Sequence, residues 1–194
     1  GIVDSARAIF DIDQEFGDVG VAVNATVSNE TAHRLKSRRR SMAGPSGCGL
    51  CGIESIEHMT RDILPLQAAN LPSQAALDNA LSGMRTRQVV SQSTSGAHAA
   101  VWCDMDGNIV TLREDVGRHN ALDKLIGWHS SEPANGFVLV SSRASYEMVA
   151  KAAMAGIGVL AAVSAPTSMA IETAKTANLK LIAFASNGRH ALYS

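Results

Sequence analysis

Aromatic side chains are scarce in this chain. Phenylalanine, tryptophan and tyrosine together make up 4% of its 194 residues. A core without them must be packed from aliphatic residues, and an apolar content of 46% is enough for one domain, or one domain plus an arm. That apolar content also excludes a disordered chain. Charge is sparse as well: 18% of residues are charged and the formal net charge is −1, so no global field draws the chain to nucleic acid or to an anionic membrane. The local exception is the run Lys36-Ser37-Arg38-Arg39-Arg40. Long apolar runs are missing, and the first residues do not read as a signal peptide. We therefore expect a cytoplasmic protein with neither nucleic acid nor membrane as a partner. Cysteine is limited to three residues, which does not fit a secreted disulfide framework. The chain opens at Gly1 without an initiator methionine, which leads us to expect further residues before it in the natural protein.

Two of the three cysteines lie three positions apart, as Cys-x-x-Cys, in Gly44-Pro45-Ser46-Gly47-Cys48-Gly49-Leu50-Cys51-Gly52. The glycines and the proline exclude a long helix or a regular strand there, so the thiols of Cys48 and Cys51 are expected on a bendable loop. A helix with Ile56, Met59 and Ile63 on one face is expected over Glu54–Ile63. It would bring Cys51 near a positive helix end, which favours thiolate.

The remainder alternates between the two structural periods. Residues 1–18 give no clear signal, and Val19–Val27 reads as a strand. The polar stretch Glu30–Arg40 is either a solvated surface segment or a patch for a phosphate-bearing ligand. Pro72-Ser73 opens a helix with Leu77, Ala80, Leu81 and Met84 on one face, running to about Gln88. Strands are expected at Ala99–Cys103, Ile109–Arg113, Phe137–Ser141, Val159–Val163 and Leu179–Phe184, and helices at Arg118–Trp128, Ser145–Ala155 and Thr167–Ala177. This order predicts an α/β fold: a three-layer α/β/α sandwich on a mixed five-stranded sheet, with one antiparallel hairpin strand at or near an edge. Residues 72–194 would form that α/β part. Residues 1–71, with the 44–52 loop, would be a strand-containing N-terminal extension of the same domain.

Ligands of such sheets lie beyond the carboxyl ends of parallel strands. Polar residues gather in those places: 93–98 ending at His98, 114–120 with Arg118 and His119, 141–145 with Arg143 and Ser145, 164–167, and 184–189. Hydroxyls, main-chain N–H groups and arginines converging there suit a phosphate-rich ligand. Each also has a structural reading. His119 with Asp123 and Asn120 with Lys124 are four apart and suit surface pairs, as do Glu147 and Lys151. Ser145 and Thr167 suit helix caps. His98 fits a core residue, a general base or a phosphate contact.

Three chemistries fit the Cys-x-x-C loop. Zinc would need two more ligands, and Cys103 with His58 or His98 would have to supply them by an accident of folding. A thioredoxin-like redox pair would follow a strand and open a helix, whereas this loop is looser and no such unit precedes it. A sulfur carrier would use one mobile, low-pKa thiolate to accept and pass on a sulfane sulfur. Cys103 reads as a packed strand thiol.

Four blocks together resemble the FdhD/NarQ family of formate dehydrogenase accessory sulfurtransferases. They are Gly47-Cys48-Gly49-Leu50-Cys51-Gly52, Ser95-Gly96-Ala97-His98-Ala99-Ala100, Asp115–Lys124 and Ser142-Arg143-Ala144-Ser145-Tyr146-Glu147-Met148. Gly156-Ile157 and Ser164-Ala165-Pro166-Thr167 add to the match, which runs from Gly1 to Ser194. The resemblance implies a cytidine deaminase-like fold and a homodimer. It implies a sulfur carrier that takes persulfide sulfur from a cysteine desulfurase and passes it to the molybdenum cofactor, a bis-molybdopterin guanine dinucleotide. That cofactor, bound as a substrate, then enters formate dehydrogenase. By the same match Cys48 would bear the persulfide, with Cys51 as its partner. The segment Phe184, Ala185, Ser186, Asn187, Gly188 and Arg189 would contact the cofactor. No tightly bound zinc is expected. The alternative is a chaperone that holds the cofactor or the apo-dehydrogenase without transferring sulfur.

Deamination does not follow from the fold. It needs a His or Cys ligand, a Glu two residues on and a later P-C-x-x-C, whereas here His98 is followed by Ala100 and no C-x-x-C comes after it. The chain also departs from the family pattern. Ser95 and Ser142 stand where glycine is usual, Gly158 where proline is common, and Ser186 and Ala191 in place of Arg and Asn.

Overall fold

The computed structural model describes residues 6–17, 20–38 and 63–194. The Cys48/Cys51 loop lies outside the described residues, and so does the expected Glu54–Ile63 helix apart from Ile63 itself. Two units are distinguished, Gly1–Thr60 and Arg61–Ser194.

In the first unit a turn of 3-10 helix at Ala6–Ala8 leads into β1, Ile9–Gly17, which pairs antiparallel with β2, Gly20–Val27. The strand β1 carries little sequence signal because Asp11, Asp13 and Glu15 interrupt its apolar residues. Phe10, Ile12 and Phe16 nevertheless keep the period of two that a strand requires. The polar stretch that follows is a helix, α1, Asn29–Arg38. The Ser28 hydroxyl oxygen accepts the Thr31 N–H at 3.2 Å, which supplies one of the bonds missing at a helix start.

The second unit is a mixed sheet with helices. Its elements are α2 (Gln74–Arg87), α3 (Val89–Thr94), β3 (His98–Cys103), β4 (Ile109–Asp115), α4 (Arg118–Ser131), β5 (Phe137–Val140), α5 (Tyr146–Met154), β6 (Val159–Ala162), α6 (Ser168–Thr176), β7 (Lys180–Ser186) and β8 (Arg189–Leu192). The strand order is β4-β3-β5-β6-β7-β8. The sheet thus has six strands, not the five expected. The added strand β8 returns antiparallel to β7 through the two-residue connection Asn187-Gly188, with Ser186 opposite Arg189. Gly188 supplies the left-handed conformation of that turn, at φ +77. Asn-Gly is a strong hairpin signal, but Arg189-His190-Ala191-Leu192 is too short and too polar to read as a strand unaided.

The alternation of β5 explains its continuous apolar run. Val138 and Val140 face one core cluster with Ala100, Trp102 and residues of α4, α5 and α6. Phe137 and Leu139 face the other, with Val101, Cys103 and the α2 residues Leu77, Ala80, Leu81 and Met84. Both faces are covered, so neither tolerates polar side chains. Helix α2 starts at Ser73, whose Oγ accepts the Ala76 N–H at 3.1 Å.

Strands β5, β6 and β7 are mutually parallel, and β3 runs antiparallel to both β4 and β5. The carboxyl ends of β4 to β7 therefore share one edge with the start of β3. All five polar loops singled out in the sequence belong to that edge.

Candidate functional site

Main-chain bonds lace the loops of this edge together. Ser141 N–H donates to the Ala99 carbonyl at 3.0 Å, while Ala99 N–H donates to Ser141 Oγ at 2.8 Å, joining the end of β5 to the start of β3. Thr167 N–H donates to the Ala144 carbonyl at 3.0 Å, and Phe184 N–H to the Ser164 carbonyl at 3.3 Å. These bonds carry the connection on to the loops after β6 and β7. The edge is a continuous rim of main chain from which side chains project.

The Asp115–Lys124 block is wired to itself. Asp115 Oδ1 accepts the Gly117 N–H at 2.9 Å and Asn120 Nδ2 at 3.2 Å, and its Oδ2 lies 2.7 Å from Lys124 Nζ. The hydrogen bond from Lys124, reinforced by that from Gly117, holds the Asp115 carboxyl below the usual carboxylate range. Asn120 and Lys124 thus both reach back to Asp115 rather than pairing with each other along the helix. Glu114 is also engaged: its two oxygens accept the Val90 and Ser91 N–H groups at 2.9 and 2.8 Å, at the start of α3. The structure assigns these residues to holding the loop that presents Arg118 and His119. Sequence spacing could not show it, because a side chain reaching back over a turn looks like a surface pair.

Helix α5 presents the facing residues. Ser145 is its N-cap residue but makes no capping bond. This corrects the expectation of a cap. The buried hydroxyl lies instead 3.4 Å from His119 Nε2, across from α4. His119 Nε2 is also 3.6 Å from Glu147 Oε2; Glu147 is 3.4 Å from Lys151, and Lys151 is 2.5 Å from Asp123. Burial pushes the His119 pKa down, against the upward pull of Glu147. His98 opens β3 opposite Asp115 and is half-buried, and its pKa is lowered by burial and by the Arg118 guanidinium.

The other candidates sort by exposure. Arg143 is exposed between buried Ser142 and buried Ala144. Ala185 points into the core at 1% exposure. Gly188 donates its N–H to Asp78 Oδ1 at 3.0 Å, and Arg189 Nε donates to Ser186 Oγ at 3.1 Å. Phe184 is 47% exposed yet sits at φ +53, a left-handed conformation that is costly for a bulky side chain. It occupies an irregularity between the pairs Ala183–Ala191 and Ser186–Arg189, where β7 has one residue more than β8. The bulge turns its ring outward beside a shallow cavity of about 330 Å³ bordered by Arg189, His190 and Ala191.

Two helix starts on the rim, α4 at Gly117 and α5 at Ser145, make no side-chain capping bond, whereas α6 is capped by Thr167 through the Ala170 N–H at 3.2 Å. Uncapped N–H groups and helix dipoles favour anions there. Arg118 and His119 start one of these helices, and Arg143 precedes the other. His98 shares its sheet face with Ala100 and Trp102, and Cys103 lies on the opposite face, so those two do not meet at a metal. Burial pushes the Cys103 thiol up to about 12, which makes it an inert packed residue.

Residues 1–194 match the model of the FdhD/NarQ family. The chain belongs to that family. It is 49% identical over 179 residues to the sulfur carrier protein FdhD of Bordetella petrii, covering 90% of this chain and 64% of that one. It is 45% identical over 197 residues to the FdhD protein of Cupriavidus necator, covering 100% and 68%. The chain thus spans about two thirds of the length of these relatives. A crystal structure described as a formate dehydrogenase accessory protein from Desulfotalea psychrophila superposes with a TM-score of 0.71 at 23% identity, over 100% of this chain and 72% of that one. That likeness speaks for the fold. The blocks Ser95–Ala100, Asp115–Lys124 and Ser142–Met148 lie along the rim described above, and the cysteine block lies outside the described residues.

Proposed function

We propose that this FdhD/NarQ member is a sulfur carrier in formate dehydrogenase maturation, taking persulfide sulfur from a cysteine desulfurase and delivering it to a molybdenum cofactor. The observation that carries the reading is the rim: two uncapped helix starts beside Arg118 and Arg143, in a chain that also bears the family's Cys-x-x-C block. The Cys48 thiolate attacks the outer sulfur of the donor persulfide. The S–S bond breaks, the donor thiolate leaves, and Cys48 carries the sulfane sulfur with no net change of oxidation state. On delivery without a direct acceptor, the Cys51 thiolate attacks the Cys48 sulfur and expels hydrosulfide. The resulting Cys48–Cys51 disulfide is reset by a thiol reductant.

The guanine dinucleotide of the bis-molybdopterin cofactor is the substrate placed on the rim. Its phosphates meet the starts of α4 and α5 and the side chains of Arg118, Arg143 and Arg189. His98, His119 and Ser145 supply neutral polar contacts, and Phe184 to Arg189 borders the nucleotide. We extend the proposal to a cytidine deaminase-like three-layer arrangement, a homodimer and a cytoplasmic location. Among the described residues no helix is long and apolar enough to cross a membrane.

Intact mass after incubation with a cysteine desulfurase and cysteine tests the reading. A gain of one sulfur that is lost in Cys48→Ala supports it; no gain, or equal gain in the variant, overturns it. If a Cys48→Ala/Cys51→Ala double variant still restores formate dehydrogenase, the chain holds its cofactor or client without transferring sulfur.

A further inference from the structure

The opposite end of the same sheet holds a second cavity, of about 440 Å³. It lies where β3 ends and β5 and β6 begin, at Trp102, Gly136 and Gly158, away from every loop of the rim. One wall is the extended strand-free segment around Gln67 and Asn70. That segment is fixed to the sheet unit, since Leu66 N–H donates to the Ala177 carbonyl at 2.8 Å and Asn178 Nδ2 donates to the Leu66 carbonyl at 2.9 Å.

The lining carries no Asp, Glu, Lys or Arg. An ion entering it would lose its hydration without meeting a counter-charge. Gln67, Asn70 and Asn135 each offer both a donor and an acceptor. The aromatic wall is the Trp102–His129 pair, stacked with centroids 4.2 Å apart at 20°. Trp102 is 2% exposed, and neither its Nε1 nor His129 Nδ1 has a hydrogen-bond partner among the described residues. A buried polar atom left so costs free energy unless a ligand or a ligand-held water reaches it. Gly136 keeps that corner open to main chain alone. A Cβ there would stand 2.9 Å from Trp102 Nε1 and 2.0 Å from the Cys103 carbonyl oxygen. The volume falls within the ~300–1,000 Å³ typical of small-molecule sites.

We propose that this cavity binds an uncharged, planar heteroaromatic molecule with hydrogen-bond donors and acceptors on its edge, seated against the Trp102–His129 pair. It is a site separate from the rim, and it stands whether or not Cys48 carries sulfur.

The chain's two tryptophans report on the site. Trp102 lines it, and Trp128 is 6.2 Å from Trp102, so fluorescence excited selectively in tryptophan comes from this cluster. Nicotinamide and adenine serve as neutral probes, and nicotinate, the anionic near-isostere of nicotinamide, as the control. A saturable change with either neutral ring, at least tenfold weaker with nicotinate, supports the proposal. Ala134 and Asn135 are exposed residues of the lining, so Ala134→Phe and Asn135→Phe fill the cavity from outside the core. Each variant with an unchanged urea midpoint should bind at least tenfold more weakly. No saturable response to either neutral ring, equal response to nicotinate, or unaltered affinity in both filled variants overturns the proposal.

Discussion

Lys124 Nζ stands 2.7 Å from Asp115 Oδ2, joining the end of β4 to the second turn of α4 across the loop that carries Arg118 and His119. The same carboxylate takes the Gly117 N–H and Asn120 Nδ2, so its removal leaves three donors without it. Lys124 is half exposed, which limits the ion pair, but the hydrogen bonds to a charged acceptor are worth more than neutral ones. Asp115→Ala is expected to lower stability by about 1–2 kcal/mol in urea unfolding. It should also weaken nucleotide binding more than that loss explains, because the arginine loop loosens. A variant with unchanged stability and binding would show that the loop is held by its main chain alone.

Arg143 is exposed and none of the hydrogen bonds described here involves its side chain. Arg143→Ala is therefore expected to leave the urea midpoint unchanged while weakening guanine nucleotide binding about tenfold, in line with loss of one charge-assisted contact of about 1.4 kcal/mol. Calorimetric titration measures this, and equal affinity in the variant would take Arg143 out of the site.

Phe184 combines exposure with a strained backbone, which invites a test that separates function from stability. Left-handed φ costs a non-glycine residue about 1–2 kcal/mol, and glycine restores about 0.5–1 kcal/mol of unfolded-chain entropy. Phe184→Gly is expected to unfold at the same or a slightly higher urea concentration and to bind guanine nucleotide more weakly. A loss of stability beyond about 1 kcal/mol would mean that packing of the ring outweighs the strain.

Three histidines titrate low in the fold. Burial lowers His98, His119 and His129, with Arg118 adding to the effect at His98. In the unfolded chain they take up protons near pH 6.5, the ordinary histidine value, whereas in the fold they do so only at lower pH. Below that pH the unfolded state binds more protons, so the stability from these residues is full above about pH 7 and falls as the solution is acidified towards the folded values. The urea midpoint is expected to drop between pH 7.5 and pH 5.5. A midpoint that rose on acidification would contradict neutral, buried imidazoles.

The order of helices and strands from residue 73 onward was legible in the sequence apart from the short helix α3 and the strand β8, because each of the other elements carries its own period and its own punctuation. The residues Leu77, Ala80, Leu81 and Met84 mark one buried helix face, and Phe137–Val140 is uniformly apolar because helices cover both sides of β5. Local signals of that kind depend on neighbours a few residues away. The family blocks were legible for the same reason, as short runs of fixed residues. Tertiary structure alone decided that β8 joins the sheet, since four polar-rich residues become a strand only when β7 offers its edge through the Asn187-Gly188 turn. It alone sent the Ser145 hydroxyl toward His119 instead of the helix cap, and Asn120 and Lys124 back to Asp115. It also brought Trp102 and His129 into one stack beside a cavity. Such partners are chosen by distance in space, and a sequence read along its length contains spacing but not distance.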